Sequence, residues 1–272
     1  MTSPCRVVVL TSGPSLGDGV REFVRQLAAY REIELAAVIW QTRDPTVRGV
    51  VADLWRRRRW LAGPLLVQKY LGTLMGSLLR PVHAFRLART AHALRERIHC
   101  FEDMHSAQAL SRIRACQPRL LLVYGAPIIR KSLYETAPLG ALGIHHGKVP
   151  EYRGKKTMFW AMYNGEPTAG VTIQRINDTL DGGDVVEAGE VIVGVRLPGR
   201  VWRELERTGF RLYLKAVLDV CRGRATFRPQ RGATRKIYRD PGVADMVRFW
   251  LRYVRRLDRA MIPGTGIRNA DG

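Results

Sequence analysis

Two stretches of the chain carry the residue types that proton-transfer chemistry needs. In the first, Gly140-Ala-Leu-Gly-Ile-His145-His146-Gly-Lys148-Val-Pro150, two histidines follow directly on a short apolar run. In the second, Gly170-Val-Thr-Ile-Gln174 is followed after a short interval by Leu180-Asp181-Gly182-Gly183-Asp184, an acid set in a glycine-rich turn. A His at a strand end and an Asp on a loop at the same rim of a sheet could form a hydrogen-bonded acid/base pair, His145 moving protons and Asp181 orienting it. A His satisfied by backbone next to an Asp that only shapes a turn fits the same pattern. Lys148, Lys155 and Lys156 flank the turn after His145 and could grip a substrate phosphate, or remain solvated surface groups.

For these groups to meet, the fold must bring their strand ends to one crevice. Cys5 to Leu10 reads as a strand, Val20, Phe23, Val24, Leu27 and Ala28 fall at helical spacing, and Ile33 to Trp40 reads as the next strand: a βαβ unit of a doubly wound sheet. Gly13, Gly17 and Gly19 lack the spacing of a dinucleotide fingerprint, so they are read as a plain strand-to-helix turn. A helix around Ala107 to Cys116 precedes the central strand Leu120-Leu-Leu-Val-Tyr124-Gly125, and Gly140 to Ile144 forms another; ligands of open α/β sheets sit at such strand ends. Val171 to Ile176 and Val185 to Val193 read as later strands joined by a polar turn, followed by a helix over Trp202 to Cys221, an extended piece over Ala225 to Pro229, and a basic amphipathic stretch over Met246 to Met261. The expected fold class is α/β, a doubly wound, mostly parallel, Rossmann-like sheet. The catalytic domain is expected over 1–200, interrupted by a basic, apolar insertion at about 45–100, with a helical extension over 201–272.

The block from Tyr124 to Val186 resembles the N-terminal domain of the folate-dependent formyltransferases, a family that includes methionyl-tRNA, glycinamide ribonucleotide and nucleotide-sugar formyltransferases. The resemblance rests on five pieces in order: Pro150-Glu-Tyr152-Arg153-Gly154, Phe159-Trp160-Ala161, Gly165-Glu166, Gly170-Val171-Thr172-Ile173 and Leu180-Asp181-Gly182-Gly183. It implies transfer of a formyl group from the cosubstrate 10-formyltetrahydrofolate to an amine, without a metal. His145 and Asp181 would be catalytic, and the pterin would be cradled by Tyr124, Gly125, Ile128 and Ile129 on one side and by the loop with Asp178 and Gly182 on the other. The chain departs from the family at Gly143, where an Asn normally supplies an oxyanion donor; His146, Lys148 or a water could substitute. Two readings therefore stay open: an active enzyme, or a non-catalytic relative that binds folate, a sugar or a membrane surface. The His-Gly and Phe-Trp-Ala variants are more similar to the sugar enzymes, so the expected acceptor is a nucleotide- or lipid-linked amino sugar for surface polysaccharide or glycolipid synthesis. A methionyl-tRNA enzyme fits less well, because few residues follow the core.

Composition sets the remaining expectations. With 46% hydrophobic residues among 272, the chain can bury a proper core. Lys and Arg number 45 against 24 Asp and Glu, a formal charge of +21 that favours anionic partners. Cys5, Cys100, Cys116 and Cys221 lie far apart with no CxxC pair, which suggests neither a zinc site nor a disulfide framework and fits a reducing cytosol. The N-terminus shows no secretory pattern, so a cytoplasmic location is expected, with contact to the inner membrane surface through 55–79 or 246–261. Trp55-Arg-Arg-Arg-Arg-Trp60 and the apolar stretch to Leu79 suit an interfacial helix, or a helical hairpin on the domain or a second subunit. In the last stretch, Val247, Trp250, Leu251, Val254 and Leu257 oppose Arg248, Arg252, Arg255, Arg256 and Arg259, a face that packs on the domain or meets a membrane or a homodimer partner. Nucleic acid is not an expected partner.

Overall fold

Runs of uninterrupted aliphatic residues such as Val7 to Leu10 and Leu120 to Leu122 leave no solvent face for a strand, so they demand a sheet covered on both sides. The computed structural model describes residues 3–13, 16–42, 96–232 and 236–261. There both runs are fully buried at the centre of a seven-stranded sheet. The strands are β1 (Cys5–Gly13), β2 (Ile33–Thr42), β3 (Ile98–Phe101), β4 (Leu120–Val123), β5 (Ala141–His145), β7 (Thr168–Arg175) and β8 (Val185–Ile192), in the order β3-β2-β1-β4-β5-β7-β8. Pairing is parallel from β3 through β5; β7 runs antiparallel between β5 and β8. The doubly wound, mostly parallel sheet expected from the sequence is thus the observed one.

Alternation along each strand sends side chains to two separate layers. One layer holds Val7, Val9, Leu120, Leu122 and Leu142 against α1 (Asp18–Leu27) and the long helix α5 (Pro198–Cys221). Opposite it, Val8, Leu10, Leu121, Val123 and Ala141 pack against α2 (Ala107–Ala115) and α3 (Lys131–Tyr134). A third cluster joins α4 (Thr157–Asn164) and α6 (Val243–Met261) to β7 and β8 through Ala161, Val171, Phe249 and Tyr253. The two-residue strands β6 (Arg153–Gly154) and β9 (Ile237–Tyr238) pair with each other beside this cluster.

Several expectations change in three dimensions. Nearly all of the inserted segment, including 55–79, lies outside the described residues, while Ile98 to Cys100 within it belong to β3. Cys5 and Cys221 are joined as a disulfide with Cα atoms 5.8 Å apart, which corrects the expectation of none. β1 begins where α5 ends, so residues 216 apart in sequence become neighbours and their spacing carries no signal. In α6 the face that packs on the domain is formed by Phe249 and Tyr253, whereas Val247, Trp250, Leu251 and Val254 remain exposed.

Tyr213 fastens α5 to the sheet: it is fully buried, and its hydroxyl donates to the carbonyls of Leu142 (2.7 Å) and Val123 (3.2 Å). Tyr213→Phe keeps the ring packing and loses the donor, so urea unfolding should show a stability lower by about 1–2 kcal/mol.

Candidate active site

The site is built by one turn. After His145 ends β5, the chain folds back through Gly147 and the cis peptide Val149–Pro150, so that the carbonyl of Tyr152 meets His145 Nε2 at 2.7 Å. Only glycine fits at 147, because a Cβ there would collide with both His145 Nε2 and the Tyr152 oxygen. Two residues on, the same turn grips the loop after β7: Arg153 Nε donates to the Leu180 carbonyl at 2.9 Å, and the Gly154 N–H donates to Asp181 Oδ2 at 2.7 Å. The Pro-Glu-Tyr-Arg-Gly and Leu-Asp-Gly-Gly segments are therefore two halves of one hydrogen-bonded clasp.

That clasp places Asp181 Oδ1 3.4 Å from His145 Nδ1, with both side chains largely buried. Asp181 takes a left-handed conformation (φ +48°), and Gly183 lies so close to the Arg175 carbonyl that any side chain would clash. From below, the Gln230 amide donates to the carbonyls of Asp181 (3.0 Å) and Gly183 (2.7 Å) and to Gln174 Oε1 (3.1 Å). Both ring nitrogens of His145 face acceptors, a carbonyl and a carboxylate.

Gly143 lies two residues before His145 on the same face and pairs with Gln174 across β5 and β7. A Cβ there would sit 2.6 Å from Ile176 Cδ1, so the room of the missing side chain is taken by the end of an isoleucine. Gln174 is 3% exposed and its Nε2 lies 3.4 Å from Asp181 Oδ1. Its amide is the polar group that sequence reasoning missed; the only signal is cross-strand register, which has to be known before Gln174 can be placed opposite Gly143.

His146 is not at this site. Alternation turns it to the other face, where its ring packs 4.7 Å from that of Trp202 and its Nε2 is enclosed without a hydrogen-bond partner. It therefore cannot replace the oxyanion donor. Burial, with a smaller contribution from His145, lowers its pKa to about 4.

Of the residues expected to cradle a ligand, Gly125 (φ +65°) borders open space and its carbonyl accepts from Ser12 Oγ at 2.8 Å. Ile128 is 71% exposed, but Ile129 is buried in the α2–α3 layer. The Tyr124 ring points to the opposite layer, stacked on Phe23, with its hydroxyl donating to Glu206 at 3.0 Å; burial and that carboxylate raise its pKa. Only its main chain adjoins the site. Asp178 accepts from Tyr134 Oη at 2.8 Å, which pushes the Tyr134 phenol up to about 12 and ties α3 to the loop, and Gly182 packs on Thr179 and Arg153. The lysines do not converge on the site with free ammonium groups: Lys148 pairs with Glu190 at 2.9 Å and Lys155 with Asp240 at 3.7 Å, while Lys156 takes a left-handed conformation before α4. No group of metal-ligating side chains forms among the described residues.

A family model described as formyl transferase matches residues 90–196, a span that runs from β3 through β8 and holds the whole clasp. Over these residues the chain is similar to the formyl transferases. The methionyl-tRNA formyltransferase of Chloroflexus aggregans is 33% identical over 132 residues, covering 47% of this chain and 42% of its own length. The chain thus spans less than half of that curated relative. Among solved structures, glycinamide ribonucleotide transformylase 1 from Symbiobacterium toebii superposes with a TM-score of 0.57 at 16% identity, covering 84% of this chain and 94% of that one. A sugar N-formyltransferase from Shewanella sp FDAARGOS_354 gives a TM-score of 0.56 at 14% identity, covering 93% and 88%. At such identities these two establish a shared fold.

Two outcomes follow from the geometry. Gly147→Ala must push His145 away from the Tyr152 carbonyl, so stability should drop by about 1–3 kcal/mol and the imidazole 15N resonances should report loss of that hydrogen bond. His146 is neutral in folded and unfolded chains above its ordinary 6.5, and only the unfolded chain protonates between 6.5 and about 4. Stability should therefore fall by about 1–3 kcal/mol as pH drops through that window, and His146→Phe should remove that part of the slope in pH-dependent denaturation.

Proposed function

We propose that the chain is a folate-dependent N-formyltransferase that moves the formyl group of 10-formyltetrahydrofolate to the amine of a small molecule, an amino sugar carried on a nucleotide or a lipid. The observation that carries this reading is the His145–Asp181 pair, clasped by Arg153 and Gly154 within the formyl transferase segment. The His146-Gly147 and Phe159-Trp160-Ala161 variants, more similar to the sugar enzymes, support the choice of acceptor.

The amine lone pair attacks the formyl carbon, the carbonyl oxygen gains negative charge, and collapse breaks the bond to folate N10. One proton leaves the amine and one arrives at N10, so a single coupled acid/base pair can serve both transfers. His145 and Asp181 are that pair. Open space at Gly125, the exposed Ile128 and the loop from Asp178 to Gly182 line the face where the pterin would lie. Gln174 is the oxyanion donor in place of the amide lost at Gly143: its carboxamide lies on the same sheet face, directly across from that glycine and beside Asp181.

Ile176 filling the space at Gly143 favours one other reading, a folate-binding relative without turnover. The likeness to a methionyl-tRNA formyltransferase favours a tRNA acceptor. One assay separates all three: tetrahydrofolate release from 10-formyltetrahydrofolate with amino-sugar nucleotides or with methionyl-tRNA. Turnover with a sugar is expected, lost in His145→Ala and Asp181→Asn and lowered about 10²- to 10³-fold in Gln174→Ala, as for loss of one oxyanion donor. Gly143→Asn combined with Ile176→Ala, which clears the colliding side chain, should restore activity to the Gln174→Ala background. Turnover with methionyl-tRNA alone would replace the acceptor, and folate binding without turnover would establish the non-catalytic reading.

A further inference from the structure

Helix α6 is amphipathic twice over. One face is spent on the domain: Phe249 and Tyr253 are 4% and 6% exposed, and Arg252 and Arg256 donate to the carbonyls of Tyr163 and Met162 at the end of α4. A second apolar stripe, Val243, Val247, Trp250, Leu251 and Val254, repeats at intervals of three and four and so falls on one side of the helix. Its residues are 37 to 56% exposed. Packing on the domain has already been satisfied by the other face, so the domain leaves this stripe uncovered.

The stripe has neighbours of matching character. Tyr253 Oη donates to the Val195 carbonyl at 3.2 Å, which sets α6 beside the loop where Val195 and Leu197 are 46% and 54% exposed. On its other side the stripe is bordered by exposed Arg248 and Arg255, and the chain carries a formal +21. Among the described residues no helix is long and apolar enough to cross a membrane.

From this arrangement we infer that the outer face of α6 is a docking surface for an anionic bilayer, on which the helix lies in the interface with Trp250 and Leu251 inserted and Arg248 and Arg255 at the level of the lipid phosphates. The combination of one apolar face, flanking arginines and a tryptophan is what interfacial helices need, and anionic headgroups neutralise the arginines. A second copy is the poorer occupant. An antiparallel twofold contact would place the same arginine row of both copies side by side, and in any pairing the partner is equally basic. The inference is independent of the acceptor, and it would keep the site close to a lipid-borne substrate.

The test is co-sedimentation of the full chain with vesicles of phosphatidylcholine alone or mixed with phosphatidylglycerol, for the wild type and for Trp250→Asp/Leu251→Asp, with circular dichroism confirming that the variant folds. Binding to the mixed vesicles is expected, weakened by salt, with affinity lowered at least about tenfold in the variant. Equal binding by the variant and the wild type, or binding by neither, would overturn the inference. So would a dimer in sedimentation velocity that the variant abolishes, which would assign the face to a second copy. Folate turnover measured without vesicles is read separately and does not bear on this result.

Discussion

The structure of the site depends on a short hydrogen-bonded clasp in which the turn of residues 147–154 holds the loop of residues 177–183. One end of the turn offers the Tyr152 carbonyl to His145, and the other offers the Gly154 N–H to Asp181 and the Arg153 side chain to Leu180. His145 stands on β5, whereas Asp181 stands on a connection between β7 and β8, and the sheet alone does not bring these two side chains into contact. A carboxylate in a left-handed conformation and a buried imidazole each cost free energy, and the clasp supplies the charge-assisted bonds that offset it. Glycines at 147 and 183 are the steric condition for this closure, since the backbone on one side and the ring on the other leave no room for a Cβ.

Around that clasp the fold divides labour by strand alternation. The face of β5 and β7 that carries Gly143, His145 and Gln174 holds the candidate site, and the face that carries Leu142 and Ile144 is welded to α5. The same rule sends His146 away from the chemistry, although it adjoins His145 in sequence. Gln230, beyond α5, reaches back under the Asp181 loop, so the chain after the matched family segment helps to shape the site.

At residue 143, where the family resemblance leads one to expect an amide, the lack of a side chain is paired with an apolar filling. Ile176 occupies the space, so Gly143 leaves no void, and an amide lies across the strand pair. Gln174 is that amide, and it is already held by Gln230 and Asp181. In the proposed reaction, a donor fixed by its neighbours beforehand would cost no reorganisation when charge develops.

The sequence by itself determined the sheet and the main helices, because apolar runs and helical periodicity are local properties that burial enforces wherever the chain goes. It also determined that His145 and Asp181 belong together, through five short segments in a fixed order. Tertiary structure alone decided everything that depends on what lies opposite what. Register put Gln174 across from Gly143, alternation removed His146, and chain closure brought Cys5 to Cys221. In α6 the periodicity marked one apolar face, that of Val247, Trp250, Leu251 and Val254, and did not show that another would take the inside. Aromatic contacts to Phe159 and arginine bonds to the end of α4 selected Phe249 and Tyr253 for the inside, leaving the Trp250 stripe outside. Pairings of this kind are set by geometry between distant segments, and a linear pattern holds no term for them.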